Sequence, residues 1–99
     1  MRSKLFTILF EHNGGTYIAQ VRATTPATAL AAWARRLPSH GIPGIGDAGA
    51  AKLAQHLQQA PPVPLNGLIN AWCATPIVRG RLALINIVLT HSDSTLGEP

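Results

Sequence analysis

Leu82-Ala83-Leu84-Ile85-Asn86-Ile87-Val88-Leu89 is the longest nearly uninterrupted apolar run in the chain, and its reading decides the fold. Eight residues are too few to span a bilayer, Ile and Val favour a pleated surface, and both sets of alternate positions are apolar. The run is therefore expected to be a strand covered above and below, with the domain assembled around it.

Leu5-Phe6-Thr7-Ile8-Leu9-Phe10 has the same character, with Phe6, Ile8 and Phe10 on one face and Leu5 and Leu9 on the other. It predicts a second central strand. Asn13-Gly14-Gly15 follows, residues that accept positive φ, and Thr16 to Ala23 then alternates, so a hairpin is expected here. Tyr17, Ala19 and Val21 would face the core, with Gln20 and Arg22 on the wet side of an edge strand.

Thr25-Pro26 opens a helix, with Thr25 as N-cap and Pro26 in the first turn, where its missing N–H costs nothing. The helix is expected to run to about Leu37, with Leu30, Trp33, Ala34 and Leu37 on one stripe and Arg35 and Arg36 suiting the dipole at its end. A second helix is expected from Asp47, its N-cap, to Gln59, anchored by Leu53 and Leu57. Ala60-Pro61-Pro62-Val63-Pro64 suggests a stiff crossover. Leu68 to Thr75 is then expected as strand three, confined by Pro76 to an edge or a bulge, with Arg79-Gly80 turning the chain into the opening run.

Together these features predict one α+β domain over residues 1–91, in the order β-β-α-α-β-β. Its sheet would be four-stranded, mainly antiparallel and ordered 2-1-4-3, with two helices packed on it. Residues 92–99 lack an apolar period and predict a flexible C-terminal tail. Two strands apolar on both faces and only two helices to cover them imply that one sheet face is buried by a second copy or a protein partner.

With 99 residues, a single core suffices without disulfides. Hydrophobic residues at 46% exclude a disordered chain, and charged residues at only 12% leave apolar surface to spare. The net charge of +4 permits nucleic acid, an anionic membrane or an acidic protein as partner, but the eight basic residues are scattered along the chain as a diffuse field. Cys73 is the only cysteine, which excludes an internal disulfide and a thiolate zinc cluster and suits a reducing compartment. The apolar stretch from Leu5 to Phe10 is too short for a signal or membrane segment, so a cytoplasmic protein without membrane contact is expected.

Catalytic chemistry finds little footing. The carboxylates are Glu11, Asp47, Asp93 and Glu98, two of them in the expected tail, and His12, His40, His56 and His91 lack metal-site spacing and suit loops or the surface. If Arg79-Gly80 is a two-residue turn, Cys73 falls opposite Asn86 and Trp72 opposite Ile87, while strand parity sends His91 to the face away from Asn86. No Cys-His-Asn nucleophile follows. No catalytic residue, metal or cofactor is expected, and Cys73 is expected to be a buried structural thiol.

Gly41-Ile42-Pro43-Gly44-Ile45-Gly46, followed by Ala50-Ala51-Lys52-Leu53, resembles the hairpin and second helix of helix-hairpin-helix modules. That resemblance covers about a fifth of the chain and implies a phosphate held without sequence readout by backbone N–H groups of the glycine turn and the helix start. Gly44, Ile45, Gly46 and Lys52, with Arg35 and Arg36 nearby, would form the nucleic-acid contact. Asp47 stands where the phosphate would approach, and its charge repels one unless the side chain caps the helix. The opening hairpin followed by Thr25-Pro26-Ala27-Thr28-Ala29-Leu30 also resembles the start of small antitoxin domains of the HicB type. The sequence therefore favours a non-enzymatic interaction module of immunity or antitoxin type, paired with a protein partner or as a homo-oligomer. Nucleic-acid binding is the alternative.

Overall fold

The computed structural model describes residues 3–37, 42, 45–78 and 80–91. Strand β1 (Lys4–His12) turns into β2 (Gly15–Ala23) through Asn13 and Gly14, whose φ values of 51° and 83° are both positive. Two consecutive left-handed residues make the two-residue turn whose twist matches a hairpin, which is why Asn-Gly stands there. The ladder is unbroken from Lys4 opposite Ala23 to His12 opposite Gly15.

Helix α1 (Pro26–Arg35) begins as expected at Thr25: the Thr28 backbone N–H donates to Thr25 Oγ1, and the Thr25 N–H donates to Thr28 Oγ1. Arg36 forms its C-cap. Helix α2 (Asp47–Gln59) has the expected extent but not the expected cap: the N-cap is Gly46, with no side-chain hydrogen bond, and Asp47 is the first helical residue. Its carboxylate serves the helix as a negative charge near the positive dipole end, without satisfying an N–H.

Beyond α2, the chain forms β3 (Val63–Pro64), β4 (Ala71–Ala74), the short hairpin β5 (Ile77–Val78) and β6 (Arg81–Leu82), and β7 (Leu84–His91). The main sheet is five-stranded, in the order β2-β1-β7-β4-β3, not the expected four strands ordered 2-1-4-3. The proline segment expected to be only a crossover adds an outer strand, with Val63 opposite Cys73 and Pro64 opposite Trp72. An outermost position tolerates Pro64 because no further strand requires its missing N–H.

Expected strand three begins later than Leu68. Gly67 and Asn70 take positive φ values of 82° and 64°, closing a tight turn that leaves Leu68 and Ile69 exposed before β4 starts. The run from Leu82 is likewise divided. Pro76 and Ala83 separate the β5–β6 hairpin as its own two-stranded sheet, tied back by the Ala83 N–H donating to the Pro76 carbonyl at 2.9 Å. Leu82 is exposed, and β7 begins at Leu84.

Helix α1 lies against one face of the sheet, and α2 packs beside it and against β5 in the same buried cluster. That face carries Phe6, Ile8 and Phe10 of β1, Val21 of β2 and Ile85 and Ile87 of β7, packed with Leu30 and Trp33 of α1 and Leu53 and Leu57 of α2. Trp33 meets Phe10 edge-on at 5.0 Å between ring centroids, and Trp72 meets Phe6 at 6.0 Å. His12 is not the surface residue expected. It is buried at the end of this face, stacked on Phe10, with Nε2 3.3 Å from the Val78 carbonyl, so the ring N–H can donate across to the short hairpin. Replacing His12 with Ala removes ring packing and leaves that carbonyl short of a donor, an expected loss of about 1–3 kcal/mol in denaturant unfolding.

Candidate interaction surface

Among the described residues, no helix lies on the opposite face of the sheet. Antiparallel partners share a face, so the register places the residues of this open face in rows across the strands. Ile18, Leu9, Asn86, Cys73 and Val63 form one row through all five strands. Gln20, Thr7, Val88 and Ala71 form the next. Arg22, Leu5 and His91 lie beyond it at one end, and Thr16, Glu11 and Leu84 at the other. The strands expected to be buried above and below are thus covered on one side only: Ile85 and Ile87 are buried, whereas Val88 is 40% exposed between them and the end of β7.

The middle of this surface is uncharged. Ile18 is 66% and Val63 60% exposed at its two margins, and Leu5, Leu9, Leu84, Asn86 and Cys73 are half-buried between them. Neighbouring side chains shield these central residues edge to edge, yet nothing lies above them among the described residues. A polar line crosses the apolar ground, in which the Gln20 amide donates to Thr7 Oγ1 at 3.0 Å and Thr7 and Thr90 hydroxyls hydrogen-bond each other. These groups satisfy one another and link β2, β1 and β7 across the face.

Two residues sit otherwise than expected. Cys73 is half-buried on the open face, not inside the core, because β4 turns Trp72 and Ala74 toward the helices and Cys73 away from them. His91 shares the face of Asn86. A register shift between Leu5 and Phe6 pairs Leu5 with His91, so the extra residue, Thr90, reverses the parity that a regular strand would give. Five residues of strand still separate Asn86 from His91, roughly 15 Å, which leaves no nucleophile assembly with Cys73.

Of the residues of the expected phosphate site, all but Gly44 lie among the described residues. Gly44 lies outside the described residues, as does the expected tail at 92–99. Ile45 is buried in the core, and Gly46 is exposed at the start of α2 with φ −99°, where an added Cβ would meet nothing within 4 Å. Arg35 and Arg36 are exposed at the end of α1. Lys52 instead lines a groove of about 900 Å³ between α2 and the β5–β6 hairpin, with His56, Gln59, Ile77 and Val78. Among the described residues, no group of three or more His, Cys, Asp and Glu is placed to hold a metal ion, and no helix is long and apolar enough to cross a membrane.

Comparison with protein-family models, with curated proteins and with solved structures finds no match to this chain.

The open face escaped sequence reasoning in its composition, though not in its existence. Arg22, Ile18 and Val88 were legible as strand residues, whereas Glu11 fell beyond the expected first strand and Val63 in the expected crossover, and only the strand register places all five on one surface. The available signal was the alternation in β1, where Leu5, Thr7, Leu9 and Glu11 form a weaker apolar set than Phe6, Ile8 and Phe10.

Proposed function

We propose that this chain is a small interaction module whose open sheet face is its contact surface for protein. The observation that carries the reading is a five-stranded sheet with, among the described residues, helices on one face only, the other presenting a surface with an uncharged, apolar centre. A monomer gains nothing by exposing such a surface to water, whereas a protein laid over it removes apolar area at about 25 cal/mol per Å². The internally satisfied Gln20, Thr7 and Thr90 line leaves no convergent set of free polar groups, which suits a broad protein surface better than a small ligand. The reading leaves the chain non-enzymatic, with immunity or antitoxin duty as the kind of work such a module performs. Nucleic-acid binding has less behind it, since Asp47 stands uncapping at the helix start and Lys52 faces the groove beside the short hairpin.

Cys73 supplies the test, because its sulfur lies on the open face beside Asn86 and Val63. In dilute, folded protein, a small maleimide is expected to modify Cys73 without denaturant. Once a protein covers the face, the rate is expected to fall at least tenfold, about 1.4 kcal/mol of protection. A thiol that reacts only in denaturant, at every concentration and in crude extract alike, would show that the face is already closed by the chain itself and remove the basis of the proposal.

A further inference from the structure

The arrangement of charge and area on the open face points to its occupant, and this inference rests on the reading of that face as a protein contact. We infer that a second copy of this chain covers it, face to face, about a two-fold axis that runs across the strands. The two charged residues of the face with fixed sign lie at opposite ends of adjacent strands: Arg22 in the row with Leu5 and His91, Glu11 in the row with Thr16 and Leu84. Six residues of strand separate the rows, roughly 20 Å. Both side chains are exposed, and among the described residues neither has an ion-pair partner.

A two-fold axis across the strands exchanges the two ends. It sets the Arg22 end of one copy over the Glu11 end of the other, twice, with the uncharged rows of Leu9 and Thr7 meeting in between. The displacement of Arg22 from Glu11 of the second copy is one strand spacing, about 4.8 Å, across sheets that pack about 10 Å apart, within reach of a long arginine side chain. An axis along the strands sets each row over the same row of the second copy, the Arg22 end on the Arg22 end and the Glu11 end on the Glu11 end, so no opposite charges meet. The face is thus complementary to itself in one orientation, as an isologous interface requires.

Area supports the same occupant. The five strands cover roughly 500 Å² in plan, and side-chain relief brings the accessible area to about the 600 Å² per partner at which specific interfaces begin. A stable contact must therefore use the whole face, which an extended peptide or a single docked helix does not. A second twisted sheet does, and the chain itself supplies one.

Charge exchange decides the matter, with mass measured by light scattering and dissociation followed by sedimentation. The wild-type chain is expected to be dimeric, with a dissociation constant that rises with salt. Arg22→Glu and Glu11→Arg are each expected to weaken it at least tenfold by setting like charges together. The double variant Arg22→Glu with Glu11→Arg is expected to restore most of the loss, since it reverses each pair without removing it. Circular dichroism checks that each exposed substitution leaves the fold intact. A dimer indifferent to both single changes would place self-association elsewhere, for example at the free edge of β2, and overturn the inference. A wild-type monomer at the highest soluble concentration, with Cys73 still open to maleimide, would overturn self-association while leaving the face as a contact for a different protein. A monomer whose Cys73 is closed would remove both readings.

Discussion

Ile8→Glu is expected to leave no folded protein at 25 °C, whereas Ile18→Glu in the same hairpin, compared at a concentration where both chains are monomeric, is expected to unfold within about 0.5 kcal/mol of the wild type. The side chain and the substitution are the same, so only the face differs. Ile8 is fully buried against Phe6, Phe10 and the helices, and Ile18, opposite Leu9, is 66% exposed on the open face. Glu at position 8 forfeits about 2–3 kcal/mol of apolar burial and introduces a carboxyl with no partner, which adds several kcal/mol whether it ionises or takes a proton. A domain of this size holds about 5–10 kcal/mol in total, so the sum consumes most or all of it. Chemical denaturation of both variants, with far-ultraviolet circular dichroism as the signal, is the measurement. A folded Ile8→Glu variant of near wild-type stability would mean that the two sheet faces have been assigned the wrong way round.

Trp33→Ala carries the next largest effect, an expected loss of about 3–5 kcal/mol and a fall in Tm of well over ten degrees. Trp33 is the largest fully buried side chain and joins α1 to the sheet through its contact with Phe10. Its neighbours on the same stripe, Ala29 and Ala34, are too small to close the cavity left behind. Trp33→Phe is expected to recover more than half of the loss, because it keeps an aromatic edge against Phe10 while shortening the ring system. Thermal unfolding of the pair distinguishes a packing role from a requirement for the indole N–H, since a hydrogen-bonding role would leave Trp33→Phe as damaged as Trp33→Ala.

The hairpin, the Thr25 cap and the extent of α2 were legible in the chain because each depends on residues within a few positions of one another, while α1 ends at Arg35, short of the expected Leu37. Asn13-Gly14 fits only a turn with positive φ, Thr25-Pro26 fits a helix start, and the spacing of Leu30, Trp33, Ala34 and Leu37 marks a single stripe. The opposition of Cys73 to Asn86 was also legible, since a short turn at Arg79-Gly80 counts residues outward in both directions; the observed pairing keeps that register through Ile77 opposite Leu82 and Val78 opposite Arg81. Capping of α2 was misjudged because Gly46 and Asp47 are both acceptable at an N-cap, and the choice between them depends on how the preceding chain approaches the helix.

What the sequence by itself determined is the set of local elements and the presence of more apolar strand surface than two helices can cover. Which side of the sheet those helices choose was decided only in three dimensions, where the bulkier set of Phe6, Ile8, Phe10, Ile85 and Ile87 packs Trp33 and the smaller set of Leu5, Thr7, Leu9 and Asn86 is left outside. Local pattern marks both sets as apolar and cannot rank them, because the ranking depends on the volume each offers to residues far away in the chain. The added edge strand at Val63, the bulge that carries His91 across the sheet and the spacing of Arg22 from Glu11 belong to the same class. Each is a relation between strands distant in sequence, fixed by close packing and hydrogen-bond register after the chain has closed on itself.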